Sequence, residues 1–201
     1  PFCCSSLILY YNKTVFDEAG AEPPRTLDDF TAIAPLIGQR DSKGNVTRYA
    51  FAGTPTTYEL GAFIGAQNGL SYMVDGKNGH FGVPRNVLIE TDGTFRNFLV
   101  HWKQFYDTGF VLNTSDQMQE FAAGRSSSML NASDRLPTLQ RLIGDRFEIA
   151  TAFVPMTDEN ATGGVNIGGS ALFMFSDSEA VKAFMDYILS LDCQRFWAEG
   201  T

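Results

Sequence analysis

Leu7-Ile8-Leu9-Tyr10-Tyr11, closed by Asn12, is the stretch on which the fold turns. A short apolar and aromatic run without polar alternation suits a β-strand buried on both faces. The residues after it, 14–19, have helical character and end at Gly20, the residue that tolerates the left-handed position past a helix C-terminus. Pro23-Pro24 then stops the chain. A new helix is expected from Leu27, because Thr26-Leu27-Asp28-Asp29 reads as a variant capping box: the Thr26 hydroxyl accepts from the amide three residues on, and Asp29 sits near the positive end of the helix dipole. Phe30, Ile33, Ala34 and Ile37 share one face of that helix, and Pro35 is expected to kink it or end it early.

Further along, Asp41-Ser42-Lys43-Gly44-Asn45 reads as a turn feeding a strand at residues 48–52. Residues 58–67 carry Leu60, Phe63 and Ile64 at helical spacing, and the Gly- and Asn-rich residues 75–82 read as a surface loop. Residues 94–108 give the clearest amphipathic helix, with Phe95, Phe98, Leu99, Trp102, Phe105 and Tyr106 as its apolar stripe and Gly109 as its stop. A short helix at 115–123, a strand at 127–131, a helix at 133–143 despite Pro137, and a strand at 147–154 follow. Gly168-Gly169 leads into a strand expected at 170–175. A helix capped by Asp177 or Ser178 is expected to bury Ala180, Val181, Phe184, Tyr187, Ile188 and Leu191, and a last helical turn after Asp192 holds Phe196 and Trp197. Strands alternating with helices, without an internal repeat, signal a layered α/β domain.

Composition bounds the partners. The 201 residues carry a formal net charge of −8, with 44% hydrophobic and 19% charged residues. That balance belongs to a folded chain with enough apolar surface for a core. It argues against nucleic acid, which demands clustered Lys and Arg. The longest apolar runs fall far below the ~20 residues that cross a bilayer. The opening residues hold no charged segment followed by an apolar one, so no export signal is read there. Of the cysteines, Cys3 and Cys4 are adjacent and poorly placed to bridge each other, a bridge to Cys193 is not indicated, and an odd count is no disulfide framework.

Catalytic and metal patterns are sparse. His80 and His101 show no zinc spacing, and the sequence contains no Gly-x-Ser-x-Gly elbow and no phosphate-cradling loop. In the 41–45 turn, Lys43 stands where a calcium ligand would be needed and Gly44 comes too early. Asn-x-Ser/Thr sequons begin at Asn12, Asn45, Asn113, Asn131 and Asn160, although Asn and Ser/Thr also gather at caps and turns for local hydrogen bonds. A carbohydrate hydrolase is the enzymatic alternative, with Asp28 and Asp29 or Glu18 and Glu59 as its acids; adjacent or cap-forming carboxylates are poorly suited to face one glycosidic bond. No metal and no cofactor is called for.

What remains is a set of polar, aromatic and glycine positions at strand ends and loop–helix junctions, where open α/β sheets place ligands. Ser5 and Ser6 precede the first strand, Tyr58 opens a helix, Asn131 and Ser133 follow a strand, and Gly168-Gly169 introduces another. A tyrosine stacks on the apolar face of a sugar, and a Gly-Gly pair lets backbone amides approach a ligand closely. Each also has a plainer reading: Gly-Gly makes turns, and Tyr58 packs a helix.

The opening Pro1-Phe2-Cys3-Cys4-Ser5-Ser6 with Leu9-Tyr10-Tyr11-Asn12-Lys13, then Phe16-Asp17-Glu18-Ala19-Gly20 and Pro23-Pro24-Arg25-Thr26-Leu27-Asp28-Asp29-Phe30, resembles the start of the second lobe of family 1 extracellular solute-binding proteins of ATP-driven (ABC) importers. Phe121-Ala122-Ala123-Gly124 before Ser128-Met129, then Val154-Pro155, Ile167-Gly168-Gly169-Ser170 and Phe196-Trp197 fall in the same order, so the resemblance spans nearly the whole chain. It is nearest the glycerol-3-phosphate- and sugar-binding branch. The resemblance implies a single α/β lobe over 1–201, of the type II periplasmic-binding-protein-like fold, a mixed sheet flanked by helices. The first lobe and the C-terminal helices would lie elsewhere, since members are roughly twice this length. It implies ligand contacts at Ser5 or Cys4, Tyr58, Ser133 and Gly168 or Gly169, and a sugar, oligosaccharide or glycerol phosphate as solute. Membrane permease subunits are the implied partners, and the implied location is periplasmic or extracellular, with a lipid tether in some members. The sequence departs from the pattern at Cys3 and Cys4, where polar residues are usual, and at Tyr58, where tryptophan is usual. A sensory or adhesion module on the same lobe is the non-transport alternative.

Overall fold

Strand β1 (Cys3–Asn12) contains the decisive run and is an interior strand. It pairs antiparallel on one side with β6 (Ser128–Ala132), from Leu7 opposite Ala132 to Tyr11 opposite Ser128. On the other side it pairs antiparallel with β7 (Ile149–Ala152), from Leu9 opposite Ala152 to Asn12 opposite Ile149. The computed structural model describes residues 3–54, 93–157, 165 and 167–199; the helix expected at 58–67 and the loop at 75–82 lie outside them. Two compact units result, a larger one of Leu7–Asn166 and a smaller one of Pro1–Ser6 with Ile167–Thr201.

In the larger unit the strand order is β5-β4-β6-β1-β7, where β4 is Phe51–Ala52 and β5 is Val111–Leu112. β4 runs parallel to both β5 and β6, so the sheet is mixed. Because side chains alternate along a strand, Leu7 and Leu9 join one core with α1 (Lys13–Ala19), α2 (Leu27–Ile37) and α3 (Thr94–Asp107). Ile8 and Tyr10 join a second core with α4 (Gln117–Ala122) and α5 (Leu136–Ile143). Both faces of β1 are thus covered, which is why its sequence is apolar without alternation.

The helices start and stop where their end chemistry dictates. Asn12 caps α1 by accepting from the Val15 amide at 3.1 Å, and Gly20 closes it at φ 62°. The capping box of α2 is reciprocal: Thr26 Oγ1 accepts from the Asp29 amide at 3.0 Å, and Asp29 Oδ2 accepts from the Thr26 amide at 2.9 Å. Pro35 does not end α2 early; lying in its last turn, it removes only one bond of the helical ladder, and the helix runs on to Ile37. Pro137 falls in the first turn of α5, where a missing amide costs nothing, after a 3-10 turn at Ser133–Arg135.

Across the first core, Phe30 stacks on Phe105 at 4.3 Å between ring centroids, and Phe51 meets Phe30, Trp102 and Phe105 edge-on. The apolar stripe of α3 is narrower than its sequence pattern: Phe98 and Phe105 are buried, whereas Leu99 and Tyr106 are exposed. The strand expected at 48–52 is divided. Val46–Arg48 is β3, paired with β2 (Gln39–Arg40) in a separate hairpin, and only Phe51–Ala52 joins the sheet. The hairpin turns on Asp41, whose carboxylate accepts from the Asn45 side chain and from the Asn45 and Lys43 amides, holding its pKa below the ordinary carboxylate value. No calcium chemistry is needed to explain these residues.

In the smaller unit, Cys3–Ser6 of β1 pairs antiparallel with β8 (Ile167–Ser170), accompanied by α6 (Glu179–Leu189) and α7 (Leu191–Glu199). Ser178 caps α6. The strand lies earlier than expected: the ladder ends at Ser170, and the apolar residues after it, including Phe173 and Phe175, are exposed without a ladder partner. Apolarity alone does not make a strand; an available edge does. Phe184, Tyr187 and Leu191, expected inside, are likewise exposed.

Candidate ligand-binding site

Among the residues singled out from sequence, four meet in the smaller unit. The β1–β8 ladder sets Ser5 opposite Gly168 and Cys4 opposite Gly169, joining positions more than 160 residues apart. Cys4 is a free, exposed thiol. Ser5 and Gly168 are half-buried and Gly169 is exposed. Gly169 has φ 152°, in the region that a side chain disfavours, so its backbone groups are presented without a Cβ beside them. Hydroxyl, thiol and backbone groups on neighbouring strands give a short polar edge able to donate to and accept from a hydroxylated or phosphorylated solute.

Asn131 and Ser133 lie together in the larger unit. Asn131 is opposite Ile8 near the end of β6, and its side-chain oxygen accepts from the Ala132 amide at 2.8 Å. Ser133 opens the 3-10 turn and is half-buried. Tyr58 lies outside the described residues.

A residue missed as functional stands behind this pair. Tyr10 is fully buried, and its hydroxyl donates toward the carbonyls of Ala132 at 2.9 Å and Ser133 at 3.1 Å. Burial, with the Asp134 charge adding to it, pushes its pKa from 10.0 up to about 12. The phenol therefore stays a neutral donor that fixes the backbone where β6 turns. The signal was present in the sequence, since a tyrosine inside a buried apolar run needs a partner for its hydroxyl. Which carbonyl it would find was not.

Replacing Tyr10 with phenylalanine is expected to destabilise the protein by about 1 kcal/mol, the ordinary worth of the hydrogen bonding that its buried hydroxyl makes. Urea titration at neutral pH checks this. The raised pKa also sets a sign: the tyrosine's contribution is complete below pH 10.0 and is lost as pH climbs toward about 12, because the unfolded chain ionises first. The variant should lack that part of the alkaline loss.

A recess of about 600 Å³ in the larger unit gathers a different set, Arg25, Thr26, Asp28, Asp29, Asn97, His101 and Thr157. Here His101 Nδ1 meets Asp28 Oδ1 at 2.7 Å, and Asn97 Nδ2 donates to Thr157 Oγ1 at 3.3 Å. Asp29 is committed to the amides of Arg25 and Thr26. Of the acids suggested for hydrolysis, Asp28 is therefore engaged by a histidine and Asp29 by a helix cap rather than poised as a facing pair, and Glu59 of the other suggested pair lies outside the described residues. Several sequons have equally local uses: Asn12 is buried as a helix cap, and Asn45 is held by Asp41. Among the described residues, no group of three or more His, Cys, Asp or Glu is placed to hold a metal ion, and no helix is long and apolar enough to cross a membrane.

The same fold is found in solved structures. The sugar-binding protein MalE from the phytopathogen Xanthomonas citri matches with a TM-score of 0.71 at 22% identity, over 98% of this chain and 50% of that one. The cyclic alpha-maltosyl-1,6-maltose binding protein from Arthrobacter globiformis matches with a TM-score of 0.70 at 22% identity, over 96% of this chain and 48% of that one. UgpB from Mycobacterium tuberculosis, solved with glycerophosphocholine, matches with a TM-score of 0.59 at 20% identity, over 83% of this chain and 41% of that one. These likenesses bear out the expected mixed α/β, periplasmic-binding-protein-like fold. The chain spans about half the length of these structures. A family model described as bacterial extracellular solute-binding protein matches residues 1–201, and the chain belongs to that family.

Proposed function

We propose that residues 1–201 are the second lobe of a two-lobed solute-capture protein, which binds a carbohydrate or glycerol-phosphate-type solute and delivers it to the membrane permease of an ATP-driven importer. The observation that carries the reading is the β1–β8 ladder, which sets Ser5 opposite Gly168 and Cys4 opposite Gly169 as a polar edge with an unshielded backbone. Asn131 and Ser133, with Tyr10 fixing the turn between them and α5, are the second group of contacts, and Tyr58 is a stacking residue. Support for the solute class comes from the sugar-binding and glycerophosphocholine-bound relatives. Capture does not require turnover, in keeping with a solute-binding family and with Asp28 and Asp29 being occupied locally. The intact protein acts in the periplasm or at the cell exterior, held there in some lineages by a lipid tether outside these residues.

A thermal-shift screen of the full-length parent against oligosaccharides, glycerophosphodiesters and glycerol 3-phosphate tests this. Saturation at 100 times Kd is expected to add about 2.7 kcal/mol and to raise the midpoint. A parent that no member of these classes stabilises, or that turns over chromogenic glycosides, would overturn the reading. Isolated residues 1–201 are expected to bind far more weakly than the parent, because hinge closure recruits contacts from both lobes. Micromolar binding to the isolated chain in calorimetry contradicts the two-lobed account.

A further inference from the structure

Three polar side chains gather at one edge of the larger unit's sheet. β4 runs parallel to β5 and β6, so the carboxyl ends of all three strands lie at the same edge, where open α/β sheets place ligands. Asn113 directly follows β5, and Thr54 and Asn131 each stand two residues past the paired Ala52 and Met129. Alternation along a strand sends Thr54 and Asn131 to the same face. Thr54 Oγ1 donates to Asn113 Oδ1 at 2.7 Å, joining residues 59 positions apart, and the Asn131 side-chain oxygen accepts from the Ala132 amide at 2.8 Å. With both oxygens held from the protein side, each carboxamide has its orientation set and its Nδ2 hydrogens left to give. Asn113 is exposed and Asn131 half-buried, and among the described residues neither Nδ2 has a hydrogen-bond partner.

We infer that Thr54 and Asn113 extend the Asn131–Ser133 contacts into an uncharged rim that reads the hydroxyl groups of a neutral sugar, with Asn113 touching the solute and Thr54 positioning Asn113. The inference rests on the solute-capture reading and narrows its solute class. In hydrogen-bond sense the rim is mixed: the two Nδ2 groups donate, whereas Thr54 has committed its one proton to Asn113 and can only accept from anything else. A sugar hydroxyl does both. A phosphate dianion only accepts, and against this rim it would meet the Thr54 oxygen as a second acceptor. Charge points the same way. Residues 53–54, 112–115 and 131–133 carry no charged side chain, the next charged residues along the chain from Asn113 and Ser133 are Asp116 and Asp134, and Arg135 already stands 3.8 Å from Asp134. The rim residues therefore supply none of the cationic contacts that hold phosphate groups most strongly. The same contact gives the Asn113 sequon a use that needs no glycan.

Calorimetry on the full-length parent tests this, with maltotriose, raffinose and mannobiose as neutral probes and glycerol 3-phosphate as the charged one. At least one neutral probe is expected to bind the wild type more tightly than glycerol 3-phosphate does. Asn113→Ala is expected to weaken that probe about tenfold, the upper end for one neutral hydrogen bond, while the unliganded thermal midpoint stays in place because Asn113 is exposed. Thr54→Val, which keeps the side chain's shape, is expected to weaken it about threefold and to add nothing once Asn113 is alanine. A purely structural Thr54 would lower the unliganded midpoint and add its loss in full, which overturns its positioning role. Tighter binding of glycerol 3-phosphate than of every neutral probe overturns the solute assignment. Neutral binding that Asn113→Ala leaves unchanged overturns the rim alone. A wild type that binds none of the probes overturns the solute-capture reading and the rim together.

Discussion

Truncating Phe105 to alanine is expected to lower the unfolding free energy by about 3–5 kcal/mol, the range for removing a buried phenylalanine and leaving a cavity. Phe105 has no exposure and is the hub of the aromatic cluster, stacked on Phe30 at 4.3 Å and edge-on to Phe51 and Trp102 at 6.1 and 5.8 Å. Those rings come from α2, β4 and α3, so the cavity would open where helix layer and sheet meet, and the neighbours cannot all collapse into it. Urea unfolding followed by Trp102 fluorescence checks this, with a fall in midpoint at unchanged slope as the expected form. Tyr106 is the control. It is the next residue on α3 but 52% exposed, and its alanine variant is expected to stay within about 0.5 kcal/mol of the parent. Equal losses at the two positions would mean that the core does not lie where α3 places it.

Replacing Gly38 with alanine is expected to cost about 3 kcal/mol, the upper part of the range for overpacking a filled core. The new methyl would collide with Phe110 Cδ1, lie 2.7 Å from Phe110 Cε1 and lie 2.8 Å from the Ala34 carbonyl oxygen. Neither side has room to yield. Phe110 is buried and carries the Arg40 guanidinium 4.6 Å from its ring centroid, while its carbonyl accepts from the Ala50 amide at 2.9 Å. On the helix side, the Gly38 amide donates to Ala34 at 2.9 Å, and the preceding Ile37 carbonyl accepts from Ser127 Oγ at 2.6 Å and Arg48 Nε at 3.0 Å. Conformation is not the reason, since Gly38 has φ −84°, open to any residue. The clash is specific, so Phe110→Leu in the same chain should recover part of the loss. A double-mutant cycle with no coupling would remove Phe110 as its cause.

Both positions show how far local pattern reaches. The stripe on α3 named Phe98 and Phe105 as core, because spacing of three to four residues specifies a face. It also named Leu99 and Tyr106, which are exposed, because periodicity locates the centre of a face and not its edges. Nothing in the residues next to Gly38 marks it as a tightly packed position. Its necessity comes from Phe110, 72 residues away.

The candidate site divides in the same way. Ser5, Asn131, Ser133 and Gly168-Gly169 were legible as polar or flexible positions beside strands, and Ser5 and Gly168 prove to be ladder neighbours. The apolar run 171–175 reads as a strand, but the pairing edge of β1 lies opposite Ile167–Ser170, so the strand falls earlier than apolarity suggests. Tyr10 was read as core and is also the donor that holds the Ser133 turn, a role set by which carbonyls β6 brings near it.

Sequence alone determined the features whose physics is local: the buried strand at Leu7–Tyr11, the capping box at Thr26–Asp29 and the glycine stop at Gly20. Each depends on groups within a few residues of one another, so the order of the chain is enough to specify it. Tertiary structure decided which strands share an edge, which aromatics lie at the centre of the core and which apolar helix face is left bare. Those outcomes depend on pairing and packing between residues tens to more than a hundred positions apart, where loop entropy and shape choose the partner and local propensity does not.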